Sequence, residues 1–469
     1  MHKTPYNFNS YKKNAPHRGQ VLNSDPSSMG AKIGQILLLA FLGLLAVAQT
    51  AFARDLSYDR YAPIYEPQPP APSAVHKIAV GLLPYLLEPL RIGTDKSIDF
   101  VEKYHLDNKF TWAYDKIKSY GISPKIGLFS FGSRAVGADI DFVKLARLRS
   151  KFPDITVSGS IDYANKLYFK TSAQIGLERI AGTGLYAKAV FNYHDRPQEY
   201  FYGIGPSTSR GDGGVYSYEE TSVGPNAGYQ WGEDTRLDLS MLYRNINIGE
   251  GHTSGRLQAR DLVNPTTLDG SYGDRMFTYQ AGLIHDTRNH KGNSDKGGLR
   301  SFTLSYNDGI DQSKANYLKS QLELSQYMQL LSPRRVLAVR FYGEHNGELN
   351  SGQVPFHQLA KLGGYGRQNY MSDTLRGYGP NRFFDKSSAL FNIEYRYNIW
   401  HYRDFKLDTV LFWDEGQVFS QISRFKLRNF RESYGGGFRV SIADLTVLSV
   451  ELAHADEGTN IYVRTETPF

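Results

Sequence analysis

The sequence predicts an all-β protein, a sixteen-stranded antiparallel transmembrane β-barrel with a short N-terminal helical arm. Three observations carry this expectation. From Gly121 onward short segments alternate apolar and polar residues with period two, which is how a strand with two unlike faces reads. The polar face carries charges, such as Glu394 and Arg396 in one segment. A dry core would make each unpaired charge costly, whereas a hydrated lumen accepts it. The chain also opens with an export signal and contains no cysteine.

The leader comes first. Residues 1–28 are polar and hold no periodic segment. Met29 opens a second beginning, with Lys32, an apolar run from Ile36 to Ala48 broken only by Gly43, and then Ala51-Phe52-Ala53. A basic start, an apolar middle and small residues before the cut are a signal peptide, cleaved after Ala53, with Met29 as the expected initiator. The run is short for a membrane anchor. Five cations (Lys3, Lys12, Lys13, Arg18, Lys32) and one acid (Asp25) lie in 1–53, so the +7 of the whole chain falls to +3 after Ala53. That weak field gives no reason to expect nucleic acid as a partner.

Residues 54–121 read as a linker and a broken amphipathic helix. Pro63, Pro67, Pro69, Pro70 and Pro72 make 54–74 an extended spacer. Ile78, Leu82, Leu86 and Leu90 then recur every four residues, but Pro84 and Pro89 break the helix. Ile98, Val101, Tyr104 and Leu106 form a second apolar side. Two readings of 76–120 stand open: a segment lying on a membrane or capping an opening, and an arm packed on the main domain.

Sixteen alternating segments follow within 122–469, near 124–131, 135–143, 154–163, 166–177, 184–194, 215–229, 234–246, 275–285, 298–307, 314–327, 334–346, 388–399, 405–414, 432–441, 445–452 and 459–468. The clearest runs from Ser388 to Asn398. Ala389, Phe391, Ile393, Tyr395 and Tyr397 share one face; Asn392, Glu394, Arg396 and Asn398 share the other. Each strand with its turn has roughly 22 residues, against the ~9–11 that a crossing strand needs. Connections 195–214, 247–274 and 347–387 are long. A soluble sandwich would turn the apolar face to a second sheet, and would use larger aliphatics and fewer tyrosines than the 33 found beside 26 Phe and 4 Trp. The mean hydropathy of −0.44 excludes a bundle of membrane helices. It does not exclude a barrel, in which alternate residues meet lipid.

Four local patterns go beyond generic barrel chemistry. They are Leu375-Arg376-Gly377-Tyr378 in the longest connection, Phe412-Trp413-Asp414-Glu415-Gly416 at a strand end, Asp286-Thr287-Arg288-Asn289 before Gly297-Gly298, and Phe201-Tyr202-Gly203-Ile204-Gly205. Parity places Asp408, Phe412, Asp414 and Gly416 on one face and Leu407, Leu411 and Trp413 on the other. If the Leu/Trp face meets lipid, Asp414 points inward.

Together these patterns resemble the bacterial surface antigen superfamily, the sixteen-stranded BamA/TamA-like barrels of protein assembly and translocation. The resemblance implies that the long connection 347–387 is an inward loop whose Arg-Gly-aromatic tip, here Arg376, Gly377 and Tyr378, meets a wall motif, here Phe412, Asp414 and Gly416, with Glu394 as a further acidic partner. Arginine suits this, because its planar fork matches a carboxylate. Losing the pair is expected to loosen the loop by roughly 1–3 kcal/mol in a partly desolvated lumen. The Asp286 and Tyr202 motifs read as structural turns. Two departures stand out: no β-α-α-β-β pattern of a polypeptide-transport-associated (POTRA) domain precedes the barrel, and Thr465 and Thr467 make the last segment polar although Phe469 is in place.

No hydrolase, P-loop or zinc-protease motif is present. His285, Asp286 and His290 lack metal-ligand spacing, and Gly363-Gly364-Tyr365-Gly366 lacks the strand–helix unit of a phosphate cradle. Catalytic residues, metal and cofactors are therefore expected to be none, and the chain is not expected to be an enzyme. The expected setting is the bacterial outer membrane, as a monomer, with lipid and outer-membrane or exported proteins as partners. Its expected role, by analogy, is to assist insertion or passage of proteins at a seam between first and last strands. A channel, surface receptor or structural barrel is the alternative.

Overall fold

A computed structural model describes residues 112, 116–126, 136–146, 154–164, 168–252, 258–259, 268–290, 292–365, 374–402, 405–442 and 445–464. The leader, the linker, nearly all of the helical arm, and Thr465, Thr467 and Phe469 lie outside them. Residues 116–119 are helical, and Gly121, at φ 90°, turns the chain into the first strand.

The strands are β1 (Ile122–Ile126), β2 (Val136–Asp141), β3 (Ile155–Ala164), β4 (Tyr168–Leu177), β5 (Leu185–Phe201), β6 (Gly214–Trp231), β7 (Thr235–Glu250), β8 (Gly273–Asp286), β9 (Gly297–Gly309), β10 (Asn316–Gln329), β11 (Arg335–Glu348), β12 (Ala360–Leu362), β13 (Phe383–Asp385), β14 (Ser387–Tyr402), β15 (Phe405–Phe419), β16 (Arg431–Ile442), β17 (Leu445–Ala455) and β18 (Gly458–Arg464). β12 and β13 pair with each other inside the β11–β14 connection. The other sixteen form one antiparallel sheet in chain order, and each corresponds to one alternating segment of the sequence.

Two expectations change. β5, β6 and β7 run to 17, 18 and 16 residues, beyond the ~9–11 of a crossing. Pro197 hides the continuation of β5 in the sequence, because a bulge between Arg196 and Glu199 accommodates a residue without an N–H. The second change concerns closure. Among the described residues β1 and β18 end the sheet and share no ladder. Each runs to the limit of a described stretch, β1 at Ile126 and β18 at Arg464, and Pro124 in β1 has no N–H to donate.

Burial is inverted relative to a soluble sheet. Ile393, Leu411, Trp413, Phe438 and Leu452 are 38–59% exposed, whereas Asn392, Glu394, Asp414, Arg439 and Glu451 are at most 2% exposed. The apolar face is outside and the polar face inside, as lipid on one side and a lumen on the other require.

One side chain reports the curvature. Arg382, in the β11–β14 connection, donates to Thr208 of the β5–β6 connection at 2.9 Å and to Glu457 of the β17–β18 turn at 2.8 Å. In a flat sheet those two places would stand roughly 50 Å apart, at ~4.8 Å per strand. The sheet must curl round the connection for one arginine to reach both. Because strands alternate in direction, the long connections β5–β6, β7–β8, β11–β14 and β15–β16 all leave the same end. The β8–β9 turn lies at the opposite end.

Candidate functional site

The β11–β14 connection spans the lumen and is held at both walls. Its first part seats Phe356 among Phe201, Tyr216 and other side chains of β5–β8 and β10, with ring centroids 5.1 Å from both Phe201 and Tyr216. Beside it His357, fully buried, bonds Asp274 of β8 through Nε2 at 2.8 Å and Gln358 Nε2 through Nδ1 at 3.0 Å. The Gln358 amide is a donor, so Nδ1 accepts and Nε2–H donates to the carboxylate. Both partners suit a neutral ring. Burial lowers the proton affinity of His357 and the Asp274 carboxylate partly restores it, with a net shift below the usual value.

The second part carries Arg376 to the opposite wall. Its Nε and Nη2 donate to the two oxygens of Asp414 at 2.7 Å each, and its backbone N–H adds a contact at 3.3 Å. Nη1 reaches Glu394 at 2.9 Å and Glu451 at 3.5 Å. The guanidinium lies 3.5 Å from the centroid of the Phe412 ring. Arg439 bonds Glu394 and Glu451, both at 3.0 Å, and Arg396 bonds Glu394 at 2.5 Å. Three arginines thus meet three carboxylates from β14, β15 and β17, and the cluster is neutral. Asn392 donates to Asp414 at 2.9 Å, and Tyr365 and Ser449 donate to Glu451. Such buried charges are tolerable because each carboxylate is met by several donors and each arginine by at least one carboxylate, although Arg396 Nη2 and Arg439 Nε find no partner.

The residues around the arginine set its depth. Leu375 and Tyr378 enter an apolar collar with Leu362, Leu390 and Val418. Gly377 is in the left-handed region at φ 90°, and a Cβ there would stand 2.9 Å from the Ala455 side chain. Its N–H donates to Tyr462 of β18 at 3.0 Å. Tyr378 donates to the Glu432 carbonyl at 3.2 Å. A Cβ at Gly416 would stand 3.0–3.4 Å from Leu362, Leu390 and Leu375, so the glycine makes room for the collar rather than for the arginine.

The structure therefore brings Arg376, Asp414, Glu394 and Phe412 into one contact, with Gly377, Tyr378 and Gly416 packed around it. Every residue of the core pair is fully buried. The expected loosening of roughly 1–3 kcal/mol is accordingly too small; removing one partner of a fully buried ion pair costs about 3–5 kcal/mol. Parity alone puts Arg439 and Glu451 on the inner face, but their height on the wall follows from register, which the sequence does not display. His357 and Asp274 are 83 residues apart and carry no local signal.

The two remaining motifs do more than turn the chain. Asp286 takes a bidentate bond from Arg288 at 2.8 and 3.0 Å. The turn that follows sends Asn293 to Asp408 and Ser441, and Arg396 bonds the Asn293 side chain and the Ser294 carbonyl. This turn covers the ion cluster from the opposite end. Arg382 lies 5.0 Å over the Tyr202 ring, and Gly205 donates to the Phe384 carbonyl at 2.7 Å. That contact ties the β5–β6 connection to the lumen segment. Among the described residues no His, Asp and Glu are grouped as a metal site.

The sequence model of the Omp85 superfamily domain matches residues 156–460. The chain belongs to the Omp85 superfamily. The match takes in β4 to β17 and both halves of the Arg376 site. Among solved structures, BamA from Haemophilus ducreyi lacking POTRA domains 1–3 shares the fold with a TM-score of 0.52. It is 14% identical, covering 73% of this chain and 69% of that one. CdiB from Escherichia coli gives 0.45 at 12% identity, over 73% and 62% of the two chains. CdiB from Acinetobacter baumannii gives 0.41 at 11%, over 71% and 56%. No curated relative matches in sequence. The Omp85 architecture thus agrees with the resemblance drawn from the Arg376 and Asp414 motifs.

Proposed function

We propose that this Omp85 chain is an integral outer-membrane barrel that assists the insertion or passage of other polypeptides, with the Arg376 cluster holding its inward loop in place. The observation that carries the reading is the loop fastened to both walls. Phe356 anchors it among β5–β8 and β10, and Arg376 is bound by acids of three strands on the other side. A lumen occupied in this way gives a solute little open path, which favours the assembly role over a simple pore. The end strands β1 and β18, which share no ladder among the described residues, support a seam at which a client strand could be received. Long connections at one end and short turns at the other suit a barrel whose long side faces outward. In this reading the partners are outer-membrane lipid and outer-membrane or exported polypeptides. The protein works as a monomer, without catalytic residues or cofactor.

Depleting the protein and quantifying the outer-membrane proteome tests this role. Loss of a subset of other barrels or exported proteins is expected. Unchanged levels of all of them would contradict it.

A further inference from the structure

The β15–β16 connection belongs to the long-connection end but takes no part in the lumen. Residues 420–430 contain Arg424, Lys426 and Arg428 and no acid. They form two single turns, Ile422–Arg424 and Leu427–Asn429. Instead of entering the barrel, the connection folds down over the outside. Phe425 packs on Phe419 and Phe430 on Phe391, both with centroids 5.6 Å apart, and Phe425 meets Phe430 at 5.8 Å. Phe391 and Phe419 share the odd-numbered face of β14 and β15 with the exposed Ile393, Leu411 and Trp413. Phe391 continues to Phe341 of β11 at 4.8 Å. Gln417, on that same face, donates to the Lys426 carbonyl at 3.0 Å and fixes the fold of the connection.

Past Glu415 of β15 and its register partner Glu432 of β16, which share that outer face, the wall leads into Ile422 and Leu427, which are 65% and 75% exposed. Arg424 and Lys426 stand exposed among them; neither makes an ion pair among the described residues, and Arg424 acts on the Asp385 carboxylate of β13 only at longer range. Apolar side chains that follow a lipid-facing wall, interleaved within 420–430 with cations outside any ion pair and with no acid of that segment, match the boundary between acyl chains and anionic headgroups. We infer that the β15–β16 connection binds lipids whose phosphate-bearing headgroup is net anionic, in the leaflet on its side. Ile422 and Leu427 sit at the acyl boundary, and Arg424 and Lys426 meet phosphate. This rests on the reading of the chain as a lipid-embedded barrel, and the test separates the two.

The chain has no cysteine, so Ser423→Cys and, separately, Leu411→Cys each accept one fluorophore. Each labelled full-length protein is reconstituted into vesicles containing an equal fraction of brominated phosphatidylglycerol or brominated phosphatidylcholine. The label at 423 is expected to be quenched about threefold or more in preference by the anionic lipid. The label at 411 should be quenched equally by both. Adding Arg424→Gln and Lys426→Gln should bring the preference at 423 to unity and leave 411 unchanged. Equal quenching at 423 by both lipids overturns the proposal. So does an unquenched 423 beside a quenched 411, which places the connection in water or under a protein partner. An unquenched 411 overturns the barrel reading and this proposal with it.

Discussion

Arg376 is held by a bidentate carboxylate, a second acid and an aromatic face, with no exposed surface. Such a residue is poorly replaced. Arg376→Ala leaves Asp414 and Glu394 with one cation fewer in a desolvated site and should cost about 3–5 kcal/mol, read as the denaturant midpoint in detergent micelles. Arg376→Lys keeps the charge but loses the fork, and should fall between wild type and Ala. An Ala variant as stable as wild type would mean that the arginine does not hold the loop. His357 makes a different prediction. Its proton affinity is lowered in the folded loop, so below about pH 6.5 the unfolded state binds more protons than the folded one. The stability it contributes is full above that pH and declines as pH falls. Limited proteolysis within 349–386 should therefore quicken between pH 7.5 and pH 5. His357→Gln, which keeps a donor for Asp274 without titrating, should flatten that dependence.

Among the elements, the strands were the most legible feature of the sequence. Ser388 to Asn398 alternates because one face must suit lipid and the other a polar lumen, and β14 has that inside-out burial. The extra length of β5 was not legible, since Pro197 interrupts the pattern that a bulge then absorbs. That β1 and β18 share no ladder among the described residues was not legible either, because pairing between the first and last strands leaves no local trace. Within the site, Arg376 and Asp414 could be matched through motif and parity. Arg439 and Glu451 could not, because the register that sets their height is a property of the assembled sheet. The foot of the loop was missed for a related reason: Phe356 reads as one aromatic among many until β5–β8 and β10 surround it. Phe356→Ala should cost about 3–5 kcal/mol through the cavity left behind. Proteolysis should then open the loop at its foot even with Arg376 intact. A loop as resistant as wild type would show that the tip alone suffices.

At the scale of the whole molecule, the loop, the β5–β6 connection and the β8–β9 turn together occupy the lumen from both ends. Single-channel recordings of reconstituted protein should lack a large steady conductance. Combining Arg376→Ala with Phe356→Ala should produce intermittent openings. A large steady conductance in the wild-type protein would favour the channel alternative. The central claim is that the loop crosses the lumen and reaches the wall at Asp414, and thiol bridging in intact outer membranes tests it most directly. Arg376→Cys with Asp414→Cys removes both charges together and leaves no other thiol in the chain. Ile393→Cys with Trp413→Cys, register partners on the outer face, serves as the positive control. A short bis-maleimide should join both pairs in the folded protein. Bridging of the control pair alone would place the loop outside the barrel and contradict the account.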